Sequence, residues 1–155
     1  MKTMSYQILL AAYLAFFSVA ALAESDCDKA FDDGSDKSSF VACEVQATSG
    51  DRKAQFGFAQ ILMFGVGREH HGEQAVDWYR RSAKQRYFLA QVVLGRLLSD
   101  KRFAVDLNEV EAYAWWSVSK DTSANAELWS RLSAEQREAA VKLANEYVTK
   151  YAATH

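Results

Sequence analysis

AQFGFAQILMFGVGREHHGEQAVDWYRRSA, residues 54–83, is the stretch whose reading decides the fold. Ala54, Phe58, Ala59, Ile61 and Leu62 fall at i, i+4, i+5, i+7 and i+8, one side of a 3.6-residue helix. Gly65-Val66-Gly67 then breaks the periodicity and lets the chain turn. Ala75, Trp78, Tyr79, Ser82 and Ala83 form a second stripe. The stretch therefore predicts a complete helix–loop–helix unit, helix A then helix B. Its flanks echo it at a spacing of 36 or 37 residues. Ala47, Ala54, Gln55 and Leu62 return as Ala83, Ala90, Gln91 and Leu98. Phe58 and Ala59 return in kind as Leu94 and Gly95. Ala75 and Trp78 return as Ala112 and Trp115, and Tyr79 as Trp116. A fixed period in this range marks a helical repeat protein. Aromatics make up 13% of the chain and proline is absent. That composition suits stacked helices, where alanine permits close approach and rings fill the gaps. The expectation is an all-α fold, a short α-solenoid of antiparallel helix pairs with a C-terminal capping helix.

The units can be laid out in order. A half repeat covers about 38–50, with Phe40, Cys43, Val45 and Ala47 apolar and Gly50 as a left-handed C-cap. Full repeats cover about 53–86 and 88–120. In the second, Ala90, Leu94, Gly95, Leu97 and Leu98 pack helix A, and Asn108 with Glu111 reads as a capping pair opening helix B. A polar break at Asp121 to Ala124 precedes a short helix holding Ala126, Leu128 and Trp129. Ser133-Ala134-Glu135-Gln136 is a capping box for a final helix to about Tyr151, so that 125–151 forms the cap. Arg137, Glu138, Lys142, Glu146 and Lys150 supply the polar outer face that a terminal repeat needs.

These residues resemble the Sel1-like repeat family, relatives of the tetratricopeptide (TPR) repeats. The family pattern is roughly A-x-x-x-L-G-x-x-Y-x-x-G-x-G-V-x-x-D-x-x-x-A-x-x-W-Y-x-x-A-A. Ala54, Phe58, Ala59, Leu62, Gly65, Gly67, Ala75, Trp78, Tyr79, Ser82 and Ala83 stand at those places in the first unit. Ala90, Leu94, Gly95, Leu98, Val105, Asn108, Ala112, Trp115 and Trp116 do so in the second. His71 departs from the family's helix-capping Asp, Arg68 from its loop Val, and Arg86 from the glycine after helix B. The resemblance implies scaffolding, with a partner held on a concave helical face, and export from a bacterium.

Residues 1–23 carry one charge, Lys2, then an apolar run from Ile8 to Ala20, and end in Ala21-Leu22-Ala23. The run is short for a membrane-spanning helix of ~20 residues, and small-x-small suits signal peptidase. A cleaved signal peptide is expected, leaving 24–155 as a single helical-repeat domain without a membrane span. Loss of Lys2 moves the net charge from −2 to −3. A mildly acidic chain with no basic run argues against a nucleic-acid partner. The acidic stretch from Glu24 to Asp36 does not fit a calcium loop, because Ala30 stands where the third ligand belongs, and reads as a solvated cap. Cys27 and Cys43 remain in an oxidising compartment, where an even count with no nearby His points to a structural disulfide rather than a metal or reactive-thiol site. Periplasmic or secreted localisation follows from the same features.

Enzyme signatures are missing: no G-x-S-x-G, no phosphate loop and no H-E-x-x-H. No catalytic residue and no cofactor are expected. Glu69-His70-His71-Glu73 is the one titratable cluster to weigh for zinc or copper, with His70 and His71 as weak candidate ligands. Adjacent loop residues point apart and hold a metal poorly. The candidates for partner contact are apolar or long side chains off the core register: Phe56, Gln60, Met63, Phe64, Val92 and Arg96, joined by Gln55 and Gln91. The functional expectation is an exported non-enzymatic scaffold or adaptor for a protein or peptide. The alternative is a cell-wall protein that binds or modifies peptidoglycan or a related glycan.

Overall fold

A computed structural model describes Cys27, Ala30 and residues 37–65 and 69–152. The expected signal peptide, the rest of the acidic stretch and the turn residues 66–68 lie outside the described residues.

The described chain is all-helical. Helix α1 is Lys37–Thr48, α2 Arg52–Phe64, α3 Gly72–Lys84, α4 Phe88–Ser99, α5 Glu109–Ser119, α6 Thr122–Arg131 and α7 Ala134–Tyr151, with a 3-10 turn at Lys101–Phe103. Local chemistry sets most of the boundaries. Asp51 accepts from the Ala54 amide at 2.7 Å and starts α2. Gly65 takes a left-handed conformation (φ 61°) and donates its N–H to the Ile61 carbonyl, which ends it. The Asn108 side chain accepts from the Glu111 amide at 3.0 Å at the start of α5. Ser133 and Gln136 close a reciprocal capping box at α7. The polar break around Asp121 is narrower than expected: Asp121 caps α6, which begins at Thr122.

The helices stack in sequence order. The pair α2–α3 and the pair α4–α5 are the two repeat units, α1 leans on α2, and α3 leans on α4. Phe58, Ile61, Leu62, Tyr79, Leu94, Leu98 and Trp115 are buried along the axis. Hydrogen bonds repeat with the sequence. Gln55 Nε2 donates to the Ala47 carbonyl, and Gln91 Nε2 to the Ala83 carbonyl, both at 3.2 Å. Each glutamine thus adds a side-chain hydrogen bond to a carbonyl at the end of the preceding helix that also accepts from the backbone N–H of Gly50 or Arg86. Likewise the His71 amide donates to Leu62 O at 2.9 Å and the Asn108 amide to Leu98 O at 2.8 Å, drawing each loop back onto its helix A. Gly50 and Arg86, one period apart, both have positive φ, 102° and 64°.

The two ends are closed differently. At the start, Cys27 and Cys43 form a disulfide, and both are buried. Cys27 sits against Gly57, where a Cβ would lie 2.7 Å from the Cys27 Cβ. At the end, α7 lies along α5, with the Tyr147 and Tyr151 rings 4.6 and 5.6 Å from the Trp115 ring. The Tyr151 carbonyl accepts from Gln91 Nε2 at 3.1 Å, tying the last turn of α7 to α4. Among the described residues no helix is long and apolar enough to cross a membrane.

Candidate functional site

The helix layer opens between α4 and α6. Val92, Arg96 and Ser99 lie along one side of α4, and Ala124, Glu127, Leu128 and Arg131 along one side of α6. Trp116 of α5 also lines the space, which amounts to a cleft of about 720 Å³. Clefts that hold ligands span about 300–1,000 Å³.

Trp116 is seated by a missing side chain. Gly95 faces its indole, and a Cβ there would fall against Nε1, Cδ1 and Cε2. The indole Nε1–H donates to the Val92 carbonyl at 3.3 Å, which fixes the ring against α4. Trp116 and Leu128 are both buried, so the base of the cleft is apolar and held in place.

Charge surrounds that base. Arg102 pairs with Asp100 at 2.6 Å, and these hydrogen bonds hold the Asp100 carboxyl down at about 2. Arg131 crosses from α6 to Glu109 at 3.4 Å and donates to the Ser99 carbonyl at 3.5 Å. Arg96 and Lys101, on the α4 side, form no ion pair among the described residues; the Arg96 guanidinium lies 5.8 Å from the Phe103 ring. Glu127 lies across from them on α6. The site therefore presents an apolar base ringed by four cations (Arg96, Lys101, Arg102, Arg131) and four carboxylates (Asp100, Glu109, Asp121, Glu127), with Arg96 and Lys101 on the α4 side and Glu127 on the α6 side forming no ion pair among the described residues.

Comparison with solved structures finds this architecture in a protective antigen present in uropathogenic Escherichia coli strains, described as displaying an SLR fold, where SLR denotes Sel1-like repeat. The TM-score is 0.67 at 28% identity. This chain has the Sel1-like repeat fold. The match covers 74% of this chain and 26% of the antigen, so the chain spans about a quarter of that protein's length. No protein-family model matches the sequence, and no curated protein matches it significantly. SLR-fold proteins are helical repeat proteins, typically non-enzymatic scaffolds for protein interaction.

Within the SLR stack, the residues singled out for partner contact separate into three groups. Val92 and Arg96 come together in the cleft. Met63 is 4% exposed, so it is a core residue rather than a contact for a partner. Gln55 and Gln91 are also buried, committed to the carbonyls described above. Their side chains reach back to the preceding helix, which is why a polar residue on helix A need not face water. Phe56 is half-buried, 5.5 Å from the Tyr79 ring and 5.2 Å from the Tyr87 ring. Gln60 is half-buried and Phe64 is exposed at the end of α2; neither lines the cleft. His70 and His71 are exposed, and among the described residues no group of three or more His, Cys, Asp or Glu side chains is arranged to hold a metal.

One polar centre escaped the sequence reading. Glu111, expected only to cap α5, is buried and accepts from Arg80 Nε and Nη2 at 2.9 Å each and from Trp115 Nε1 at 3.1 Å. Arg80 also pairs with Asp77 at 3.1 Å, and its hydrogen bonds to Glu111 raise its own pKa further. This network joins helix B of the first unit to helix B of the second. Its partners lie 31 positions apart, beyond any local motif.

Proposed function

We propose that the protein is an exported, non-enzymatic adaptor that holds a segment of a partner protein on its helix layer, chiefly in the cleft between α4 and α6. The observation that carries this reading is the cleft itself, with a fixed apolar base at Trp116 and, beside it, the cations Arg96 and Lys101, which form no ion pair among the described residues. A buried apolar anchor with a polar rim is the anatomy of a protein-binding hot spot. The SLR fold supports it as a coarse class, and the Cys27–Cys43 bridge fits an oxidising compartment.

The test is site-specific photocrosslinking in the cell that makes the protein. A photoreactive residue in place of Leu107, exposed at the cleft, should give one discrete adduct, identified by mass spectrometry. The same residue in place of Glu138, exposed on α7, should not. Equal adducts from both positions, or none from position 107, would refute docking in the cleft. Co-sedimentation with purified sacculi, or their cleavage, would favour the cell-wall alternative instead.

A further inference from the structure

The two repeat units differ at one place where their registers match. In the first, the Phe56 ring packs between Tyr79 and Tyr87. Phe56 stands 36 residues before Val92 and Tyr79 stands 37 before Trp116, while Tyr87, the N-cap of α4, matches Asp121, the N-cap of α6. The second unit therefore keeps the inner aromatic, as Trp116, and replaces the two outer rings by Val92 and Asp121. All three of these residues line the cleft. The first unit fills this place with its own side chains; the second leaves about 720 Å³ open.

We propose that the cleft receives an aromatic side chain of a partner polypeptide, flanked in the same segment by acidic residues. The inference rests on the adaptor reading and specifies its ligand. The first unit shows the chemistry that fits the register, a ring set edge-on against a fixed aromatic, with interplanar angles of 64° and 62° at Phe56. Such pairs gain beyond the area they bury. The acidic flank follows from charge. Arg102 and Arg131 are already matched by Asp100 and Glu109, whereas Arg96 and Lys101 form no ion pair among the described residues. On the α4 side a carboxylate beside the inserted ring meets these two cations, against the single carboxylate Glu127 on the α6 side, while a basic flank on the α4 side would meet them as like charges.

Titration of 15N-labelled protein with N-acetylated, amidated Gly-Asp-Phe-Glu-Gly tests this. Amide shifts should centre on Val92, Arg96 and Ala124 and on the Trp116 indole N–H. Peptides with Ala for Phe, or Lys for both acids, should each bind about tenfold more weakly. Arg96→Glu, at an exposed position, should weaken the parent peptide to a similar degree without changing the melting temperature. The variant Val92→Phe, which restores the ring that Phe56 supplies in the first unit, should abolish the shifts and raise the melting temperature. Equal binding of the Phe and Ala peptides, shifts centred outside the cleft, or undiminished binding by the filled variant would overturn the proposal. So would cleft shifts that grow with protein concentration alone, which would assign the cleft to a second copy. If the peptides fail but the position-107 crosslink persists, the aromatic ligand is wrong and the adaptor reading stands; loss of both removes the two together.

Discussion

Replacing Gly95 with alanine should destabilise the protein, although alanine is the better helix former by about 0.5–1 kcal/mol. The added methyl would fall inside the Trp116 indole, which is buried and bonded to the Val92 carbonyl. Overpacking of this kind costs about 1–3 kcal/mol, and displacing the indole N–H costs about 0.5–1.5 more if it is left unpaired. Set against the helix gain, the net loss should be about 2 kcal/mol, within bounds of about 0.5 and 4. The first unit supplies the control. One period earlier stands Ala59, and the residue matching Trp116 is Tyr79; both are buried there without conflict. Trp116→Tyr should therefore recreate a pocket that accepts alanine at position 95. In that background Gly95→Ala should be neutral, or stabilising by up to about 1 kcal/mol. Urea unfolding followed by far-UV circular dichroism on the four proteins of the cycle gives the coupling, expected at about 1.5–3 kcal/mol. If the two substitutions add to within about 0.5 kcal/mol, contact between Gly95 and Trp116 does not limit packing, and the reasoning fails.

Arg86→Gly should stabilise the fold by about 0.5–1 kcal/mol, because a left-handed backbone costs a non-glycine residue about 1–2 kcal/mol and glycine returns part of that as chain entropy; chemical denaturation reads it. Glu111→Ala should cost about 2–4 kcal/mol and leave the buried Trp115 N–H without its partner. A change below about 0.5 kcal/mol in the same assay would mean that water replaces the carboxylate. Burial pushes the Tyr147 hydroxyl up to about 12 and the Tyr79 hydroxyl higher still. Their folded pKa values are raised, so the stability they contribute is complete below pH ~10 and lost as pH rises through the folded values. Ultraviolet titration of phenolate should show a component near 12, which Tyr147→Phe should remove.

Much of the fold was legible because a helical repeat is nearly one-dimensional. The stripe from Ala54 to Leu62, the break at Gly65, the Asn108 cap and the Ser133 box each act over a few residues, and each sits where its local chemistry directs. Side chains that act across helices were harder to read. Met63 lies off the core stripe of its own helix, yet it is buried. Gln55 and Gln91 look solvent-facing by polarity, but their reach is long enough to bond the carbonyl end of another helix. The charge of Glu111 was visible; its pairing with Arg80 was not, because nothing in a local window relates positions 31 apart.

The sequence by itself determined the repeat period, the helices, their capping and the aromatic and small residues that pack them. These follow from periodicity and short-range hydrogen bonding, both of which are encoded within a turn or two of helix. Only the tertiary structure decided which off-register residues are covered, where the charges find partners, and that α4 and α6 stand apart around Trp116. Those properties depend on the distance between elements, and a gap between two helices is written in neither helix alone.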